Sequence, residues 1–156
     1  FLVRHRVGLG HTGEGIAIEL SPEAIKYARH NYAHPRIEYL ELDLEQRQEL
    51  PKADACVCFE MLEHVRHPEK VLENLLNSGA QALFCSVPNE QAMPWNAKDF
   101  PEHWRHYTAE EFRELVEGAG WAMSAMLGQR DKNADVESHE DLTAMRTLVI
   151  RAARKP

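Results

Sequence analysis

"GIAIELSPEAIKYAR", residues 15–29, passes from a strand signal to a helix signal within two residues. Residues 15–20 form a short apolar run containing the β-branched Ile16 and Ile18, the pattern of a buried strand. Ser21-Pro22-Glu23 then supplies an N-cap hydroxyl, a proline suited to the first helical turn and an acid to meet the helix dipole. Ala24, Ile25, Ala28 and Tyr32 share one face of a helix expected to reach about Ala33, where His34-Pro35 ends it.

The alternation continues along the chain. Residues 36–42, RIEYLEL, read as a second strand that delivers Asp43, and residues 53–60, ADACVCFE, as a third, almost wholly apolar strand ending on Glu60. A helix begins near Pro68 with Val71, Leu72, Leu75 and Leu76 on one face and Gly79 as its stop. Residues 80–88 are a fourth strand, and residues 89–107, rich in Pro, Asn and Trp, a loop. Thr108 with Glu111 three residues later predicts a capping box, and Gly118 or Gly120 ends that helix. WAMSAMLGQ and TLVIRAARK read as two closing strands, joined by an exposed polar loop over residues 130–141.

Strand–helix alternation of this kind predicts an α/β fold with a doubly wound, mostly parallel sheet. Ligands of such sheets sit outside the carboxyl ends of the strands. Those ends carry Glu19, Asp43 and Glu60. One reading makes them solvated acids at loop boundaries. The other gives each a distinct role, with a carboxylate at Glu19 to accept both hydroxyls of a ribose, an acceptor at Asp43 for an adenine amino group, and Glu60 facing the reacting end.

Composition narrows the classes. The chain has 156 residues, 44% of them apolar and 28% charged, which suits one globular domain over 1–156 rather than a disordered segment. Lys plus Arg total 18 against 25 Asp plus Glu, a net charge of −7, so nucleic acid is not the expected partner. Cys56, Cys58 and Cys85 are odd in number and lie in apolar runs, as buried free thiols would. There is no signal-peptide pattern, and no apolar run nears the roughly 20 residues that span a bilayer, so a cytoplasmic domain is expected.

IAIELSPEAIKYAR, IEYLELDLE, ADACVCFEMLEHVRHPEKVLENL, SVPN and HWRHYTAEEF together resemble the class I S-adenosylmethionine-dependent methyltransferases, with the flavour of small-molecule and ubiquinone-type O-methyltransferases. The resemblance runs from Gly15 to the C-terminus. It implies a Rossmann-like sheet of strand order 3-2-1-4-5-7-6 with a C-terminal antiparallel hairpin, S-adenosyl-L-methionine as cofactor and a small-molecule acceptor, by preference a hydroxyl. It places Glu19, with Leu20 beside it, at the cofactor ribose. Asp43 falls at the adenine amino group with Leu44 as a backbone contact, and Phe59 and Glu60 border the methionine end. Residues 15–88 become the cofactor half, and residues 89–156 the substrate-side loop and hairpin. Residues 1–14 become a remnant or loop.

Glu60, Glu63 and His64 are spaced i, i+3 and i+4, so on a helical turn they share a face. Such a face can chelate Mg2+ or another divalent cation, with His103 or His106 completing the shell. This resembles metal-dependent O-methyltransferases, including those acting on ubiquinone precursors and on RNA 3′ ends, where a metal would lower the pKa of the acceptor hydroxyl. Two other readings stand beside it. His64, with Glu60, can serve as a metal-free catalytic base; or Glu60 touches cofactor, Glu63 is solvated and His64 packs. Trp95, Phe100, Trp104 and Tyr107, with His103, Arg105 and His106, would form the substrate wall or simply pack the loop onto the sheet. Alternatives for the whole chain are a methyltransferase-like interaction module with weak or no cofactor binding, a metal-dependent RNA 2′-O-methyltransferase, and an NAD-linked oxidoreductase.

Gly8, Gly10 and Gly13 match G-x-G-x-x-G. A cofactor loop of that type needs a strand before it, a helix after it and an acid about 20 residues on. Here Glu19 follows Gly13 by only six residues, with a strand between. The preferred reading makes the match a decoy, with the first strand and helix truncated and the cofactor site incomplete. The other makes FLVRHRV the first strand and the glycines the true loop.

Overall fold

Ser21 acts as its position predicts: its Oγ accepts the Ala24 N–H at 3.2 Å, with Pro22 as the first residue of the helix behind it. The computed structural model describes residues 13–46 and 49–156. The glycine match therefore lies outside the described residues, Gly13 apart. The chain divides into a first unit ending at Leu44 and a second running Glu45–Pro156.

The first unit is a strand–helix–strand piece: β1 (Gly15–Glu19), α1 (Pro22–Asn31) and β2 (Ile37–Glu41). The two strands pair in parallel, with Gly15 opposite Ile37 and Glu19 opposite Glu41. Ile25 and Ala28 of α1 pack with Tyr39 of β2, and Ala17 and Ile37 close this small core. The Tyr39 hydroxyl donates to the Tyr32 carbonyl at 2.8 Å, and Arg29 donates to the Tyr39 carbonyl at 2.7 Å, so the helix C-terminus is tied to the strand it covers. α1 stops at Asn31, short of Ala33. Tyr32 leaves helical geometry at φ −130° while its N–H still bonds the Ala28 carbonyl.

The second unit holds β3 (Ala55–Phe59), a 3-10 turn (Leu62–His64), α2 (Pro68–Asn77), β4 (Ala82–Pro88) and α3 (Ala109–Gly118). It ends with β5 (Trp121–Gln129), β6 (Val136–Glu137) and β7 (Thr147–Arg154). The five strands form a mixed sheet in the order β3-β4-β7-β5-β6. β3 and β4 run parallel, and the remaining ladders are antiparallel. β7, last in sequence, inserts between β4 and β5, which makes β5 and β7 the expected hairpin. Its alternating Leu148, Ile150 and Ala152 are buried, so one face of the strand is covered by the core. The polar segment after β5 is exposed as expected, except that Gln129 and Gly128 recruit Val136 and Glu137 into the short β6.

Thr108 and Glu111 complete the capping box at the head of α3, each side chain accepting the other's backbone N–H. Trp121 is wholly buried and donates its Nε1–H to the Leu72 carbonyl at 3.1 Å, joining β5 to α2. Phe112 and Val116 of α3 and Val71 and Leu72 of α2 are also wholly buried, each worth about 1.5–3 kcal/mol of burial. The three cysteines are free and buried. Among the described residues no helix is long and apolar enough to cross a membrane.

Gly128 marks a close approach. A Cβ there would lie 2.3 Å from Met145 Cγ and 2.7 Å from its Cβ, and Met145 is itself wholly buried. Gly128→Ala should therefore destabilise the fold by about 1–3 kcal/mol through overpacking. The shift of the urea midpoint measures this; an unchanged midpoint would show that the Met145 side chain yields freely.

Candidate functional site

The parallel register of β3 and β4 sets Phe59 opposite Ser86. The next residue, Glu60, turns the chain out of the strand with φ +47°, a left-handed conformation rare for a residue with a Cβ. Ser86 compensates. Its carbonyl and Oγ both accept the Glu60 N–H, at 3.1 and 3.2 Å, and its hydroxyl donates to Glu60 Oε1 at 2.8 Å. The chain then enters the 3-10 turn, so Glu63 and His64 share it while Glu60 stands before it on the strand end.

The loop after β4 is fastened over this turn by backbone groups. Trp104 donates its N–H to the Glu63 carbonyl at 2.7 Å, His64 Nδ1 donates to the Glu102 carbonyl at 3.0 Å, and the Tyr107 hydroxyl donates to the Leu62 carbonyl at 3.2 Å. The Arg66 guanidinium stacks 4.0 Å above the Trp104 ring, and Arg105 donates to the Arg66 carbonyl at 3.0 Å. Asn89, wholly buried at the end of β4, sends its amide to the Leu142 and Met145 carbonyls, each at 2.8 Å. Its own carbonyl receives the Met93 N–H at 2.8 Å, which starts the loop on a fixed course. The SVPN stretch that carried the resemblance thus contains two site-building residues, Ser86 and Asn89, for which periodicity gives no signal. A polar residue inside an apolar strand and an Asn just past its end were the clues.

This fastening collects one oxygen of Glu63 and one ring nitrogen each of His64 and His103 within 4.8 Å of one another. His64 Nε2 lies 3.8 Å from Glu63 Oε1. Because a carbonyl can only accept, the bond to Glu102 places the proton of neutral His64 on Nδ1 and leaves a lone pair on Nε2. His103 completes the set; His106, the other candidate for that position, bonds the Met93 carbonyl and His103 instead. Glu60 is not part of this cluster, its Oε1 being held by Ser86. Of the proposed wall, Trp95 and Trp104 are 39% and 46% exposed, whereas Tyr107 is buried and Phe100 packs against the His103 and His106 rings.

Glu63 is 1% exposed, and its Oε2 has no hydrogen-bond partner among the described residues. Burial, reinforced by the nearby Glu60 charge, pushes its carboxyl up to about 8. Burial also raises Glu60, against the pull of the Ser86 hydroxyl and the neighbouring histidines. His103 moves the other way, down to about 4, first through burial and then through repulsion from His64 and His106. At neutral pH the cluster therefore presents an uncharged His103 imidazole and a buried Glu63 carboxyl that is largely protonated.

In the first unit, Glu19 ends β1 and accepts the Leu20 and Ser21 N–H groups on Oε1 at 2.9 and 3.0 Å. Leu42 donates its N–H to the Glu19 carbonyl at 3.1 Å, so Asp43 and Leu44 follow at the same edge of the parallel pair. Leu20 is 62% exposed at that edge.

A family model described as a methyltransferase domain matches residues 5–125, and the chain belongs to that family. It is a member of the class I S-adenosylmethionine-dependent methyltransferases, whose cofactor is S-adenosyl-L-methionine. The fold agrees. A chain of the complex between the Haloferax volcanii Trm112 methyltransferase activator and a methyltransferase superposes with a TM-score of 0.74 at 16% identity, over 92% of this chain and 73% of that one. A SAM-dependent methyltransferase of Thermotoga maritima gives 0.71 at 15% identity, over 94% and 84%. The N-methyltransferase NodS of Bradyrhizobium japonicum, solved with S-adenosyl-L-homocysteine, gives 0.64 at 14% identity, over 90% and 66%. No curated protein sequence matches the chain.

The burial of Glu63 has a pH signature. An unfolded glutamate loses its proton near 4.5, while folded Glu63 keeps it to about 8. Between those values the folded state binds more protons, so this contribution to stability is full below about pH 4.5 and is lost as pH rises toward 8. With chelator present, Glu63→Gln should remove that decline and exceed the wild type at pH 8 by an amount on the order of a few kcal/mol. Urea denaturation at pH 5 and pH 8 measures it, and an equal decline in both proteins would contradict the assignment.

Proposed function

We propose that this chain methylates a hydroxyl of a small-molecule acceptor at the Glu63–His64–His103 cluster, with a divalent cation held by those three side chains. The observation that carries the reading is the buried Glu63 Oε2, which has no partner among the described residues and belongs to a set of one carboxylate and two imidazole donors. That donor set suits Zn2+, Fe2+ or Mn2+ as readily as Mg2+. S-adenosyl-L-methionine supplies an electrophilic methyl group on a sulfonium, and the cation would acidify the acceptor hydroxyl.

The protein's own work is positioning. Glu19, its carboxylate pinned by the Leu20 and Ser21 N–H groups, is proposed to accept the ribose hydroxyls, with Leu20 as a neighbouring apolar contact. Asp43 and Leu44 at the same edge would serve the adenine. Phe59, exposed at the end of β3, and Glu60, fixed by Ser86, would border the methionine end. Trp95 and Trp104 are partly exposed aromatic surfaces, Trp104 with Arg66 stacked on its ring, which favours a planar acceptor such as a phenol. The net charge of −7 argues against an RNA acceptor.

Glu19→Ala should weaken S-adenosyl-L-methionine binding at least tenfold by calorimetry; unchanged affinity removes Glu19 from the site. Glu63→Ala, or dialysis against a chelator, should lower kcat on a phenolic acceptor a hundredfold or more, with recovery on adding back Mn2+ or Zn2+ after dialysis. A chelator-insensitive rate would instead make His64 Nε2 a metal-free base and withdraw the cation.

A further inference from the structure

His106 is 6% exposed and sits behind the cluster, touching neither Glu63 nor His64 in any hydrogen bond. Its Nδ1 lies against the Met93 carbonyl, and its Nε2 is 2.8 Å from His103 Nδ1. We propose that His106 is a positioning residue: it fixes His103 in the tautomer whose Nε2 offers a lone pair to the Glu63–His64 cluster.

The chain of donors and acceptors has one consistent solution for neutral rings. The Met93 carbonyl can only accept, so His106 Nδ1 carries a proton. Neutral His106 then has its lone pair on Nε2, and the bond to His103 requires His103 Nδ1 to donate. Nε2 is left as the only nitrogen of His103 with a lone pair. A cationic His106 would reverse this order. Its Nε2–H would donate to His103 Nδ1 and put the proton of neutral His103 on Nε2, where it would repel a cation.

The relay starts from a rigid point. The Met93 N–H bonds the carbonyl of Asn89, which is itself locked by the Leu142 and Met145 carbonyls at the end of β4. Phe100 lies against both imidazoles, 5.3 Å from the His103 ring and 4.6 Å from the His106 ring between centroids, and shields the relay on that side. The carbonyl that sets the first proton is thus fixed by the strand, and His106 carries that orientation to His103. His64 needs no such relay, because the Glu102 carbonyl sets its tautomer directly.

This inference rests on the proposed cation reading for its consequence but not for its geometry, and the test separates the two. In the metal-free full chain labelled with 15N-histidine, the wild type at pH 7.5 should show His103 with a protonated Nδ1 and an unprotonated Nε2. His106→Leu should shift His103 toward the Nε2–H form. His106→Gln, which can accept from His103 and donate to Met93, should restore the first pattern. Co2+ titration followed by its visible absorption should give a Kd raised about 10–100-fold in His106→Leu and recovered in His106→Gln. A wild-type His103 already protonated on Nε2, or a His106→Leu protein with unchanged tautomer, overturns the proposal. If wild-type protein binds no Co2+, the cation reading falls, while the tautomer comparison still decides the role of His106. Should His106→Leu fail to fold by circular dichroism, the wild-type and His106→Gln spectra decide it by the same criteria.

Discussion

A buried carboxyl with one unanswered oxygen is the constraint around which the second unit is organised. Leaving a polar atom without a partner away from water costs on the order of 1–3 kcal/mol, and a full charge there costs more. Glu63 meets that cost in the uncharged form, holding its proton to about pH 8, until something positive reaches it. Two imidazoles meet at its edge: ring nitrogens of His64 and His103 lie within 4.8 Å of a carboxylate oxygen of Glu63, and burial lowers His103 to about 4.

What holds this arrangement is backbone geometry rather than charge. The loop after β4 crosses the 3-10 turn on hydrogen bonds to main-chain carbonyls, donated by the Trp104 N–H, the His64 ring, the Tyr107 hydroxyl and Arg105. Ser86 ties Glu60 to β4, and Asn89 ties the start of the loop to the Leu142 and Met145 carbonyls ahead of β7. A site built in this way can keep its shape while the surrounding side chains change. That is consistent with a shared fold at about 15% identity, and it separates what the fold supplies, a place for ligands, from what the individual side chains supply, the chemistry.

Local signals were legible wherever the chain contacts only its near neighbours. Ser21-Pro22 and the Thr108–Glu111 box marked helix starts that the structure places as expected, and the apolar runs marked β1 to β4 to within two residues. The i, i+3, i+4 spacing put Glu60, Glu63 and His64 on one turn, whereas the 3-10 turn begins at Leu62 and leaves Glu60 at the strand end. The left-handed step at Glu60 is imposed by the pairing of β3 with β4, a contact between residues 26 apart that no local pattern encodes. Likewise β6 exists only because β5 offers an open edge.

The same division applies to function. By itself the amino-acid order determined the α/β class, the strand-end acids and the methyltransferase resemblance, since these depend on periodicity and on motifs a few residues long. Only the tertiary structure decided that β7 lies between β4 and β5, that Tyr107 and Phe100 pack instead of facing outward, and that His103 joins Glu63 while His106 stands behind it. The last of these depends on which groups a folded loop brings within reach of each imidazole. Hydrogen-bond direction across some forty residues is a property of the assembled backbone, and the two histidines of HWRHY are chemically identical until that backbone is in place.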